Sequence, residues 1–540
     1  MPPSGLGTGL AGSDTPNERR GVGLDYLIVG GGLSALSFAA LMAQSGKRVV
    51  VLEAHAAPGG YGHTFSYGAA PDIYRFNAQF HYVWNCGPED TVGRFLKKLG
   101  LEEEVTFERF DPEGFDRMRM PGYALDIPND WDLLAERLTA LFPDQAGPCR
   151  AFLDEVREVE REIDRLPPPP RALRMLPQAF RFRRLIHRRN ATLQDVFDAH
   201  GLPLEAQTLL ALQWPDFLLP PNKLSFFAWV SLFTGYMRGA YYPTRHFEHV
   251  IETLVQTIRK NGGEVRLNHR VTSFTLEGGR VCGVVAEEVD DDGIATGPVH
   301  ELRANEVVAN MDPRRVSEMI GPDRFSRGVR DQLAYEYSPS NFMAYCVVEG
   351  IDLRDYGFGR SNLFHTEEPD LNLAFEAMLE RGDYSRPSFA MTVPTLLSDD
   401  RHDCPPGSQI IELLTVADYE RFKNLRFAKP KQYTAQKRAI FDAILDVVER
   451  DYVPKLREHI VFKMLGSPTT NERYVNSPRG NSYGSNMTPA NMGSSRLTWK
   501  TSVPGLYFCN ASSGYPGFAG TVWTGSNLYE KLTGDLFLNG

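Results

Sequence analysis

Two unbroken apolar runs stand near the start of the chain. Tyr26-Leu27-Ile28-Val29 runs into Gly30-Gly31-Gly32, and a helical pattern opens behind it at Leu33-Ser34-Ala35. After Lys47-Arg48 a second run, Val49-Val50-Val51-Leu52, ends on Glu53. Short apolar stretches bounded by glycine read as buried strands, so this segment is strand, helix, strand: a βαβ unit.

The pattern then changes several times. Residues 146–165 have helical spacing and stop at the breaker Pro167-Pro168-Pro169-Pro170. Residues 171–240 read as mainly helical and become more apolar toward the end. Phe247 to Lys260 is a helix closed by Asn261-Gly262-Gly263, and Glu264-Val265-Arg266-Leu267 is a strand. Arg270 to Leu276 and Arg280 to Glu287 form a hairpin across Glu277-Gly278-Gly279, and Glu306 to Asn310 is a further short strand. Residues 335–425 alternate strands and turns as an antiparallel sheet does, 432–450 are an amphipathic helix, and the chain closes with a strand at Gly505–Cys509 and a helix from about Thr524.

The glycine turn carries the first chemistry. Gly30 permits the tight turn out of the strand, Gly32 lets the backbone approach a pyrophosphate, and Ala35 takes the small position where helix meets sheet. The helix start offers unpaired N–H groups and a positive dipole end to phosphates. Glu53, 21 residues past Gly32, stands where a carboxylate accepts ribose hydroxyls and disfavours a 2′-phosphate. The flanking elements and the acid agree, so the segment is read as a dinucleotide site. The βαβ signal with its glycine turn appears once, and no second such unit is read for a nicotinamide cofactor.

Composition narrows the class. At 540 residues two or three domains are expected, and a net charge of −10 argues against nucleic acid as a partner. Six scattered cysteines form no CxxC pair, which fits a reducing compartment and gives no metal site. Residues 1–22 read as a disordered tail rather than a signal peptide, and no window supplies about 20 uninterrupted apolar residues for a membrane span. The expected location is cytoplasmic, with monotopic membrane association open. That possibility rests on the basic, apolar stretch Arg171 to Arg189, while Leu224 to Met237 is too short to span and reads as the lining of a lipid pocket or as core.

Several motifs together resemble a known family. Ala57-Pro58-Gly59-Gly60 follows Glu53, Tyr241-Tyr242-Pro243 precedes the helix and Val271, Val307-Val308-Ala309-Asn310-Met311-Asp312-Pro313 follows, and Pro504 to Ala511 with Gly514, Pro516, Gly517 and Gly520 closes the chain. In this order they resemble the phytoene desaturase, carotenoid isomerase and retinol saturase group of amine-oxidase-like flavoproteins. The resemblance implies FAD, an α/β fold with a Rossmann-type FAD-binding domain assembled from discontinuous segments, a substrate domain with antiparallel sheet and helical cap, and a long lipophilic polyene as substrate. The expected division is 23–101, 241–318 and 498–540 for the FAD-binding domain, 102–240 for the cap and membrane-facing region, and 319–497 for the substrate-binding domain. Cofactor-binding positions implied are Gly30, Gly32, Ala35, Glu53, Gly59, Gly60, Val271, Asn310, Asn510, Gly517 and Gly520.

Two places depart from the family pattern. Phe76-Asn77-Ala78-Gln79-Phe80-His81 keeps only the histidine of a usual Asp-x-Gly-x-His, and Arg245-His246 replaces a glycine pair beside the flavin. Arg245 and His246 are therefore the first candidates for catalysis, the arginine for anionic flavin or a substrate carboxylate and the histidine for a proton, with His81 and His63 behind them. A histidine chosen from sequence is ordinarily a hydrogen-bonded structural residue. Gly480-Asn481-Ser482-Tyr483-Gly484 matches GxSxG but lacks the strand and helix of a nucleophile elbow, so it reads as a loop over the substrate cavity. The leading expectation is an FAD-dependent enzyme that desaturates, saturates or isomerises C=C bonds of a carotenoid or retinoid. The alternatives are an FAD-dependent amine or amino-acid oxidase and a flavin-binding protein without turnover.

Overall fold

In the computed structural model, which describes residues 23–69, 72–166, 176–400 and 403–538, the two apolar runs are neighbouring strands. Leu24–Val29 pairs in parallel with Val49–Leu52 on one side and with the end of Ala295–Ala309 on the other. Val49–Leu52 is buried at every position, as a strand covered on both faces must be. The helix Leu33–Gln44 between them is buried from Leu33 to Ala43, because the helices His246–Lys260 and Phe518–Thr533 both pack on it. An unbroken apolar helix is what such a sandwiched position requires.

The full sheet has seven strands. Glu264–Arg266 lies at one edge beside Val49–Leu52, and the hairpin His269–Glu277 and Arg280–Val289 lies at the other. Leu506–Phe508 adds a parallel strand to Ala295–Ala309. The dinucleotide layer is thus built from three widely separated stretches. One strand differs from expectation: the short strand at Glu306 is the last third of Ala295–Ala309, whose first part pairs antiparallel with Arg280–Val289. The closing helix also starts six residues before Thr524, at Phe518.

A second seven-stranded sheet stands apart. Its order is Ile460–Gly466, Ser340–Glu349, Ser408–Ala417, Ser388–Thr392, Asn362–Thr366, Asp116–Met120 and Tyr123–Ile127. All its pairs are antiparallel except Asn362–Thr366 with Asp116–Met120. Residues 102–240 give this sheet its last two strands as well as the cap helices. The remaining cap helices, among them Ala146–Asp164, Leu193–His200 and Phe226–Arg238, close on an aromatic core in which Phe152 meets Phe197 at 5.0 Å and Trp229 stacks on Phe233 at 4.6 Å. Part of the apolar run Leu224 to Met237 belongs to that core, and another part, including Phe227, Leu232 and Tyr236, faces a cavity.

The expected tail, residues 1–22, and residues 171–175 of the basic stretch lie outside the described residues. All six cysteines are free thiols. No helix among the described residues is long and apolar enough to cross a membrane.

Candidate active site

Gly30 turns out of the first strand at φ +99°, a conformation that favours glycine. The next two amides are already committed. Gly31 N–H donates to Glu53 Oε2 at 2.6 Å, and Gly32 N–H donates to Asn310 Oδ1 at 3.0 Å. A Cβ on Gly32 would meet that Asn310 oxygen at 2.6 Å, so the glycine is required by a protein neighbour as well as by any ligand. The donors left for an anion are the first-turn amides of the helix, ahead of Leu36 N–H, which makes the first bond back to Gly32. Leu33 and Ser34, at the helix start expected to face phosphates, line the cavity.

Glu53 is buried, which pushes its carboxyl pKa up, while the amides of Gly31 and His55 pull it down; the net direction is upward. With one amide on each oxygen, the carboxylate keeps lone pairs for two hydroxyl donors. Gly59 N–H donates to Gly31 O at 2.8 Å and joins the Pro-Gly-Gly segment to the turn. Val271, Asn510, Gly517 and Gly520 line the same space, whereas Ala35 is fully buried and packs the helix against the sheet. A helix start, an acid with free acceptors at the second strand end and backbone from three further segments fit a dinucleotide.

This cradle opens into one cavity of about 1410 Å³. Single-ligand pockets run to roughly 300–1,000 Å³, so the space exceeds what one such ligand fills. Away from the cradle its walls are apolar and aromatic, including Phe80, Trp84, Phe217, Phe227, Tyr236 and Met487. The loop Asn481–Gly484 is part of that wall, as expected for the false GxSxG match.

His81 lies in this wall with a carboxylate behind it. Its Nδ1 is 2.8 Å from Oε2 of Glu412, a residue buried in the middle of the second sheet, and its Nε2 has no protein partner. Burial pushes the Glu412 carboxyl pKa up against the pull of His81 and the Asn77 amide. Of the departures beside it, Asn77 is buried and Gln79 lines the cavity. Asn77 donates to Tyr242 Oη at 2.9 Å, and Gln79 joins Asn341 and Asn471. His63 also lines the cavity, with Nδ1 2.7 Å from Gly60 O, and burial lowers its pKa.

Arg245 and His246 are placed elsewhere. Arg245 is exposed, and neither residue lines the cavity. His246 opens its helix at φ +78° and sits buried near Thr64, with Nδ1 3.4 Å from the threonine hydroxyl. Of the four candidates for catalysis, His81 and His63 line the cavity and Arg245 and His246 do not, and the cavity region also holds groups that sequence reasoning missed. Those are Glu412, Tyr82 and Asp216. Burial pushes the Asp216 carboxyl, on the cavity wall, up to about 7. Asp216 carried one sequence signal: it is the lone acid in the apolar stretch Leu209 to Leu219.

Comparison with known proteins agrees with this architecture. Residues 28–99 match the model of an NAD(P)-binding Rossmann-like domain. The all-trans-retinol 13,14-reductase of Macaca fascicularis is 24% identical over 519 residues, covering 90% of this chain and 81% of that protein. The chloroplastic prolycopene isomerase of Daucus carota is 21% identical, covering 98% of this chain and 83% of its own. Among solved structures, a putrescine oxidase with bound putrescine superposes with a TM-score of 0.61 at 14% identity, covering 95% of this chain and 99% of that one, a likeness of fold.

Proposed function

We propose that this chain, a member of the family of retinol saturases and carotenoid isomerases, binds FAD and desaturates, saturates or isomerises C=C bonds of a carotenoid- or retinoid-like polyene. One observation carries the reading: a single cavity is lined both by the dinucleotide cradle and by an apolar, aromatic wall. When bound, a flavin supplies hydride exchange at its ring.

The chain's own residues supply the rest. Glu53 takes the ribose hydroxyls, the first-turn amides at Leu33 and Ser34 take phosphate oxygens, and the backbone at Gly59–Gly60, Val271, Asn310, Asn510 and Gly517–Gly520 completes the cradle. The aromatic wall excludes water and holds an extended hydrocarbon. Glu412 orients His81, so that its Nε2 is the imidazole nitrogen available to a bound molecule. Arg245 and His246 take no part in this assignment.

The basic segment adjoins the same space. Leu185, on the short helix Arg183–Arg188, lines the cavity together with Ile163 and Leu166, while Phe180 and Ile186 beside it are 68% and 43% exposed. This supports a peripheral contact with an anionic lipid surface through which a lipophilic substrate enters.

The test is cofactor extraction from the purified protein, followed by anaerobic incubation with carotenoids and retinoids under oxidised and dithionite-reduced conditions. Extracted FAD and polyene products changed in hydrogen count or geometry are the expected result. A protein without flavin, or one that leaves every polyene intact and releases hydrogen peroxide from amines, overturns the proposal.

A further inference from the structure

The hydroxyl of Tyr82 lies 3.0 Å from Oδ2 of Asp116 and 3.0 Å from Oδ2 of Asp216. A phenol has one proton and so donates in only one of these contacts. In the other it accepts, and the carboxyl there must bring the proton. At least one of the two acids is therefore protonated whenever both contacts exist. Two charged carboxylates around one hydroxyl repel each other, Asp216 raising the pKa of the fully buried Asp116.

The three groups differ in access. Asp116 is fully buried at the start of its strand, off the cavity, with Gln213 Nε2 donating to it. Tyr82 is held in place by the ring of Tyr236, stacked at 4.1 Å and 6°. Asp216 ends the turn Trp214–Asp216 on the cavity wall. Two arrangements satisfy the geometry: Asp116 protonated with Tyr82 donating to Asp216, or Asp216 protonated with Tyr82 donating to Asp116. They interconvert when the Asp116 proton passes to the Tyr82 oxygen as the Tyr82 proton passes to Asp216.

We propose that Asp116, Tyr82 and Asp216 form a proton wire in which Asp216 is the catalytic acid–base group, giving a proton to or taking one from a substrate carbon, and Asp116 is its buried reserve. This rests on the proposed polyene chemistry. In the forward step the Asp216 O–H bond breaks, the π pair of a substrate double bond forms the new C–H bond, and the negative charge stays on the acid pair. In a saturation a bound reduced flavin would supply the hydride that the other carbon needs; in an isomerisation the new C–H bond breaks, its pair restores the π bond and the proton returns to Asp216. Tyr82 and Asp116 act through Asp216 and are positioning residues. Besides these, the titratable groups facing Asp216 are Tyr236, Tyr483 and His81, of which His81 alone favours its charged form. Burial pushes Asp116 well above the usual carboxylate range, in line with a reserve that keeps its proton at neutral pH.

Infrared difference spectroscopy of the full-length flavin-loaded protein tests the wire without turnover. At neutral pH, where the shared hydroxyl requires one of the two acids to carry a proton, a protonated-carboxyl band that moves in D2O is expected. The component that shifts on Tyr82→Phe should vanish in Asp116→Asn/Asp216→Asn, which separates it from other buried acids such as Glu412. Absence of that component in the unaltered protein overturns the wire. Turnover in D2O supplies the second reading. Asp216→Asn should lower deuterium transfer to the product by about 10²–10⁴-fold, with partial rescue by Asp216→Glu. Undiminished transfer in Asp216→Asn also overturns the wire. A protein that shows the band yet acts on no polyene retains the wire and loses the proposed substrate class.

Discussion

Gly32 donates its amide proton to the side chain of Asn310 across 278 residues of sequence, at 3.0 Å. The Asn310 amide nitrogen in turn donates to Ser34 Oγ at 2.9 Å and to the Cys509 carbonyl. One side chain thus ties the glycine turn, the third strand and the C-terminal strand together. Asn310→Leu removes three bonds and strands buried partners, each costing about 1–3 kcal/mol. The expected outcome is a marked fall in thermal midpoint together with loss of bound flavin, measured on the same preparation.

Glu53→Gln keeps the shape but places an NH2 group where one of two amides now donates. Losing charge-assisted bonds to ribose costs about 1.5–3 kcal/mol, or roughly 10–100-fold in flavin affinity. Titration of stripped protein with FAD checks this. Unchanged affinity removes Glu53 from the cradle.

Glu155 is a pH-sensitive tie in the cap. Burial works against its charge, but His200 Nε2 at 2.6 Å and Arg188 Nε at 2.9 Å hold its pKa down to about 2. A lowered carboxyl pKa means stability present above the ordinary value and lost as pH falls through the folded one. The contribution should therefore fade between about pH 4.5 and pH 2. Glu155→Gln is expected to cost about 3 kcal/mol at pH 7, with the gap closing on acidification in parallel denaturation curves.

Arg245 is the clean control. Exposed and away from the cavity, it should tolerate Arg245→Ala within about 0.5 kcal/mol of stability, with turnover and flavin content unchanged. A tenfold fall in turnover with flavin retained would restore it to the site.

The segment at Phe180 to Arg189 should send the protein to anionic vesicles at low salt and release it at high salt. Replacing Arg181 and Arg183 with glutamate should abolish co-sedimentation. Equal sedimentation with neutral vesicles would remove the electrostatic part of the argument.

The opening βαβ unit was legible because buried parallel strands and a glycine turn leave continuous apolar runs, and the same holds for the hairpin at Glu277–Arg280. The length of Ala295–Ala309 was hidden. Its first part is exposed and contains Gly297-Pro298, so it lacks the apolar signal that marked Val307–Ala309. The start of the last helix was masked by Gly520, a poor helix former that tertiary packing overrides. Arg245 and His246 stood out by residue type, but the direction of a side chain is set by backbone turns that no residue type announces. Tyr82, Asp116 and Asp216 lie far apart in the chain, and only the folded sheet and cap bring one hydroxyl between two acids.

The dispersed construction of the cradle sets a schedule for the newborn chain. Leu24–Val29 waits for a partner that ends at Ala309, and Ser34 waits for Cys509, 475 residues later. At roughly 5–20 residues per second of synthesis, the first strand spends on the order of a minute beside an open edge. The nucleotide layer therefore closes only after the last strand has left the ribosome, and a ribosome-bound fragment ending before Leu506 should still be dependent on chaperones and unable to retain flavin.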